Sequence, residues 1–168
     1  MTMTADVVRL RPPLHRASPR ALWYWAARAA VLWVVLLAPQ AAWWFIDGDG
    51  SRLPHLVVGA VWLVLAAAHL LVMPQWRYRV HRWEATDTAV YTQTGWLSQE
   101  RRIAPISRVQ TVDSERGPIE QLFKLANVTV TTASAAGPLK IEGLAAKVAD
   151  QLVADLTARV GQSTGDAT

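Results

Sequence analysis

The sequence predicts an α+β, mainly-β fold: a two-helix transmembrane hairpin followed by a bent β-sheet or small barrel capped by a C-terminal α-helix. Three observations predict it. Two uncharged apolar runs, Ala29 to Ile46 and Leu56 to Met73, each 18 residues long, flank a short acidic loop. Short alternating segments rich in β-branched residues follow from Trp76, and one amphipathic helical pattern closes the chain.

As a helix each apolar run spans roughly 27 Å, close to the hydrocarbon thickness of a bilayer. Of the nine Trp, seven fall between Trp23 and Trp76, where amphipathic rings belong at bilayer interfaces. The hairpin is placed at residues 21–74, with spans at about 26–46 and 55–73. Trp23, Trp25, Arg28, Trp43, Trp44 and Trp76 are its expected interfacial anchors, Arg28 by snorkelling. The first run is too long for a signal-peptide core, carries Trp33, Trp43 and Trp44, and is followed at once by a second span. Pro39 is expected to kink the first helix. Neither span supplies an acid to partner Arg28, and His69 lies inside the second span. A lone histidine there fits an interfacial position or a hydrogen bond to the neighbouring helix better than a proton relay.

Residues 1–20 form a basic arm with Arg9, Arg11, Arg16 and Arg20 against the single acid Asp6, and are expected to be disordered. Arg77, Arg79 and Arg82 follow the second span, whereas the connecting loop carries Asp47 and Asp49 against Arg52. By the positive-inside rule both termini are cytoplasmic, in a multi-pass protein of the plasma membrane. The net charge of +4 flanks the apolar runs rather than forming a stripe on a soluble fold, which argues against nucleic acid as a partner. With no cysteine, disulfides, thiolate metal sites and thiol nucleophiles are excluded.

From Trp76 the alternation of Trp76, Tyr78 and Val80 with Arg77, Arg79 and His81 predicts a half-buried strand, slipping at Arg82 and Trp83. AVYTQT, Gly95 and WLSQERRIA read as two strands about a tight connection, and VQTVDSE as another. Gly117-Pro118 opens a helical segment with Ile119, Leu122, Phe123 and Ala126 at helical spacing. NVTVTT and LKIE form a hairpin that Gly143 ends. Leu144, Val148, Leu152, Leu156 and Val160 recur every four residues, predicting a helix that covers the sheet. The soluble domain is therefore residues 75–160, with 161–168 a disordered polar tail.

The unit YTQTGWLSQERRI, then Pro105-Ile106 leading into Val109, then Gly117 to Asn127 followed by VTVTT, all behind two spans, resembles the bacterial membrane-anchored pleckstrin-homology-like (PH-like) domains of the YdbS type. The resemblance covers about residues 50 to 160 and implies a bent seven-stranded sheet capped by the last helix. It also implies assembly with a paralogous or other membrane protein.

In lipid-binding PH domains a basic cluster around the first hairpin loop grips phosphates. Here that loop is Glu84 to Thr88, with two acids and no base. Arg77, Arg79 and Arg82 are the candidate contacts for anionic lipid headgroups, beside their orienting role. Arg101, Arg102 and Arg108, with Glu100 beside them, read as a solvated strand edge. No catalytic constellation or metal-ligand spacing stands out: three of the four histidines lie in the arm or hairpin, and no HExxH, GxSxG or P-loop occurs. No enzyme, cofactor, metal or small-molecule substrate is expected. The function expected is a membrane-anchored binding or scaffold module, in contact with the bilayer and another membrane protein. The alternatives are an accessory subunit of a transport or export complex, sensitive to Gly59, His69 or Pro39, and an anionic-lipid sensor.

Overall fold

A computed structural model of the chain describes residues 12–48, 50–96, 98–134 and 137–165. The elements in order are β1 (His15–Arg16), α1 (Arg20–Ile46), α2 (Leu53–Val80), β2 (Arg82–Ala85), β3 (Ala89–Gly95), β4 (Gln99–Pro105), a 3-10 turn (Ile106–Arg108), β5 (Val109–Glu115), α3 (Pro118–Leu122), β6 (Leu125–Thr132), β7 (Leu139–Ala145) and α4 (Ala146–Gly165).

Helices α1 and α2 are 27 and 28 residues long, about 40 Å each, and their apolar faces are broadly exposed. They exceed the hydrocarbon thickness of a bilayer by about 10 Å. The excess lies at one end, in Arg20 to Arg28 and Pro74 to Val80, and there both helices meet the β-domain. At the other end Arg52 donates to the Trp44 and Gly48 carbonyls at 3.1 and 3.0 Å, satisfying acceptors that the end of α1 leaves free. Between the helices Trp33 Nε1 donates to His69 Nδ1 at 2.9 Å, the inter-helix bond expected for that histidine.

The strands form two antiparallel sheets, ordered β1-β2-β3-β4 and β5-β6-β7. In β6 the alternation works as read: Val128 and Val130 are wholly buried, with Asn127, Thr129 and Thr131 less so. Ala149, Leu152 and Leu156 of α4 seal this core. The stripe lies slightly to one side of the one the sequence suggests. A strict spacing of four drifts around a helix of 3.6 residues per turn, so Val148 is 38% exposed while Ala149 is buried, and Leu144 belongs to β7.

Several boundaries differ from the sequence reading. The segment from Trp76 to Val80 is the end of α2, not a strand. A helix already under way adds one hydrogen bond per residue without a nucleation cost, and Arg77 and Arg79 suit the negative end of its dipole. The slip at Arg82 and Trp83 is the helix-to-strand junction at His81. The arm is described from residue 12 onward: His15 and Arg16 pair with Trp83 and Arg82, giving this sheet its fourth strand and the domain its seventh, because the edge of β2 leaves backbone groups to satisfy; the arm's first eleven residues lie outside the described ones. Helix α3 stops at Leu122, since Lys124 turns the chain with φ 54°, and Ala126 is in β6. Helix α4 runs past residue 160 to Gly165, with no proline to stop it, and of the expected tail residues 166–168 lie outside the described ones.

A second cluster joins hairpin to domain: Ala17, Ala21, Tyr24 and Trp25 pack against Leu125, flanked by Met73, Tyr78, Ile119 and Phe123. Gly143 makes this approach possible. Instead of ending β7 it lies within it at φ 72°, and a Cβ there would sit 2.8 Å from the Ala21 Cβ and 3.4 Å from the Trp25 ring. Its carbonyl accepts from Ser18 N at 2.8 Å, and its N–H donates to Asn127 Oδ1 at 3.0 Å. We expect Gly143→Val to destabilise the full chain by about 2–4 kcal/mol in denaturation in detergent micelles. Gly137→Ala, with φ 78° but nothing within 4 Å, should cost only about 1 kcal/mol. Equal effects would show that the contact with α1 contributes nothing.

Candidate functional site at the base of the hairpin

The last turns of α2 and the start of α1 bring most of the sequence-nominated side chains to one junction, where the hairpin leaves its apolar section. Arg77 lies over the Trp25 ring at 4.8 Å, ion-pairs with Glu142 of β7, and its Nε approaches His81 Nε2 at 3.4 Å. Tyr24 donates to Glu120 Oε1 at 2.6 Å and accepts from Arg28 Nη1 at 2.9 Å. Arg28 is exposed. The acid that neither span supplies reaches it from α3 through the Tyr24 hydroxyl. Burial tends to raise the Glu120 carboxyl. Hydrogen bonds, from Tyr24 first and then from a backbone N–H and Asn127, together with the Arg28 charge, outweigh this and hold it below its ordinary range.

The candidate headgroup arginines do not converge. On a strand Arg77 and Arg79 would share a face; on a helix they point about 200° apart. Arg77 is engaged with Glu142, Arg79 is exposed on the opposite side of α2, and Arg82 is half-buried on β2. Among the expected anchors, Trp23 and Trp76 are 71% and 47% exposed, and Trp43 and Trp44 pack around His55 at the loop end with centroids at 3.9 and 5.4 Å. Trp25 is a correction: at 1% exposure it is an interior residue of the junction, because Gly143 opens a space the ring fills. Trp96, at the β3–β4 turn, also lies against the hairpin. It is 38% exposed, with its ring 5.9 Å from that of His69. Its position after the turn-forming Gly95 was the available signal.

A polar cleft of about 410 Å³ opens beside the junction, lined by Arg77, Arg102 and Lys140 against Glu100 and Glu142. Arg102 donates to the Pro138 and Gly137 carbonyls at 2.7 and 3.0 Å. Three cations facing two carboxylates, with Arg77 and Arg102 already engaged, do not make a cradle for a polyphosphate. The Glu84–Thr88 loop is no better suited: Glu84 is buried and accepts from Leu14 N at 3.2 Å, while Asp87 pairs with Arg159 of α4 at 2.9 Å.

His81 closes the base of this cleft. Its Nδ1 lies 2.9 Å from the Arg77 carbonyl, which only accepts, so Nδ1 carries the proton and Nε2 faces the Arg77 guanidinium. Burial first, then the Arg77 charge, lower its pKa from 6.5 to about 4, and Glu142 offsets this only in part. As pH falls below 6.5 the unfolded chain gains a proton that the folded protein refuses until pH nears 4. Stability is therefore full above pH 6.5 and declines through that window by about 3 kcal/mol. Thermal unfolding at pH 7 and pH 5 should show a smaller acid loss for His81→Gln than for the unaltered chain; matching losses would remove His81 as the cause.

Residues 19–160 match the family described as Bacterial PH domain. The chain is also 29% identical over 164 residues to the UPF0699 transmembrane protein YdbS of Bacillus subtilis (strain 168), covering 92% of this chain and 96% of that protein. No solved structure matches. Two membrane-length helices, a seven-stranded PH-like domain capped by α4, and a match over nearly the whole chain agree: this is a membrane protein belonging to the bacterial PH domain family.

Proposed function

We propose that the chain is a non-enzymatic binding and scaffold module of the plasma membrane, with both termini cytoplasmic, that assembles with another membrane protein through its PH-like domain. The orientation is supported by the arginines on both flanks of the hairpin and the acids of the loop. The non-enzymatic reading is supported by the site chemistry. Among the described residues no three His, Asp or Glu gather, and the perturbed His81 is enclosed under the Trp25 ring at 5.0 Å.

The observation that carries the reading is the free edge of β5 on a domain fixed to its own anchor. Among the described residues β5 pairs only with β6, and Gln110, Thr111, Asp113 and Ser114 are exposed. The edge of β4 carries three charged residues in a row, Glu100, Arg101 and Arg102, whereas on β5 the acids Asp113 and Glu115 are spaced apart and follow the neutral Gln110 and Thr111, where the register with β6 shifts. An exposed edge accepts an added strand, and a domain held against its hairpin meets strands carried at the same bilayer surface at raised effective concentration. A photo-crosslinking residue at Gln110 in the full-length chain should yield one discrete protein adduct. The same probe at the exposed Val57 of α2 should yield lipid adducts. No protein adduct at Gln110 would sink the reading.

A further inference from the structure

We infer that the hairpin holds one anionic phospholipid on the side away from β7, with its phosphate between Arg16 and Arg79 and an acyl chain in the groove between α1 and α2. A cavity of about 470 Å³ opens there, floored by the buried Pro74 and walled by Leu70, Leu71, Ala26 and Trp23. That volume lies in the range of small-ligand sites, and the lining is mostly apolar. Leu70 and Leu71 belong to the apolar run that ends at Met73, while Arg79 stands six residues further along α2, about 9 Å. The groove thus starts in the hydrocarbon layer and ends at headgroup height, the dimension of a lipid's own boundary between chain and phosphate.

The two cations at its mouth are available. Arg16 arrives on β1 and Arg79 on the last turn of α2; both are exposed, and among the described residues neither has an ion-pair or hydrogen-bond partner for its guanidinium. This distinguishes them from Arg28 and Arg77, which Tyr24 and Glu142 engage. A second copy of the chain is a poor occupant, because neither apolar run contains an acid to neutralise two arginines. An anionic phospholipid supplies both the chain and the charge, and paired guanidinium forks suit its phosphate oxygens.

The test is native mass spectrometry of the full-length protein released from nanodiscs holding equal phosphatidylglycerol and phosphatidylcholine. We expect one retained phospholipid, with phosphatidylglycerol favoured roughly 30-fold. Arg16→Gln with Arg79→Gln should bring that preference below about threefold. Removing the exposed pair Arg101 and Arg108 in the same way should leave it unchanged. Ala26→Phe, which fills the groove without altering charge, should abolish retention of both lipids. Circular dichroism identifies any variant that fails to fold, and Ala26→Leu then replaces the phenylalanine. Equal retention of the two lipids, or a preference that survives in the Arg16/Arg79 double variant, would overturn the assignment. So would a lipid-free dimer that Ala26→Phe dissociates, which would place a second copy in the groove.

Discussion

The close approach of β7 to α1 at Gly143 is the contact on which the rest of the arrangement depends. With no Cβ in the way, Ala21 and the Trp25 ring press onto the strand, and the Gly143 carbonyl takes the Ser18 N–H. This seats Trp25 and Tyr24 against Leu125, so the first turns of a membrane helix become part of a soluble core. Burying two large aromatic side chains supplies several kcal/mol of hydrophobic stabilisation, enough to make a hinge between anchor and domain unfavourable. The helices are about 10 Å longer than the hydrocarbon layer, and that excess is the part the domain covers.

Charge at the junction follows from the same seating. With Trp25 beneath it, Arg77 is held over the ring and reaches Glu142, and His81, closed in by the same ring, stays neutral beside a fixed cation. On the other side Tyr24 is held where its hydroxyl links Arg28 to Glu120. Two arginines near the bilayer are thereby satisfied within the protein, at the modest net gain typical of partly exposed pairs. Arg16 and Arg79, on the face away from β7, have no such neighbours. For the helix-borne Arg28, Arg77 and Arg79, the division between engaged and available cations is set by which face of each helix the domain covers, not by their spacing in the chain.

Much of this was legible in the sequence, and the exceptions share a cause. The spans were clear because eighteen uncharged apolar residues have few other homes, and β3, β5, β6 and β7 because alternation reports a sheet with one dry face. Trp76 to Val80 misled because five residues with apolar side chains at every second position also place Trp76 and Val80 one helical turn apart. Period alone cannot separate the two over so short a stretch, and the continuing helix decided it. β1 was hidden because two residues carry no pattern; His15 and Arg16 are a strand only through the edge of β2. Trp25 was read by composition, as a tryptophan near a membrane, whereas its burial depends on a glycine 118 positions later.

Once seated, the domain also reaches back along its anchor. The β3–β4 turn carries Trp96 to within 5.9 Å of the His69 ring, eleven residues before the end of α2, so the turn lies about 16 Å along the helix from the junction. His69 in turn accepts from Trp33, and Trp33 meets Trp62 edge-on at 5.7 Å. Within this column the Trp33 and His69 nitrogens satisfy each other inside the hairpin, whereas the buried Trp62 Nε1 has no hydrogen-bond partner among the described residues. Contact at Gly143 with α1 and contact at His69 on α2 together restrain rotation as well as translation of the domain. A PH-like fold joined to a helix at one point could swing; joined at two, it holds one face toward the bilayer. The depth at which each arginine lies is then a property of the folded chain rather than of a fluctuating linker.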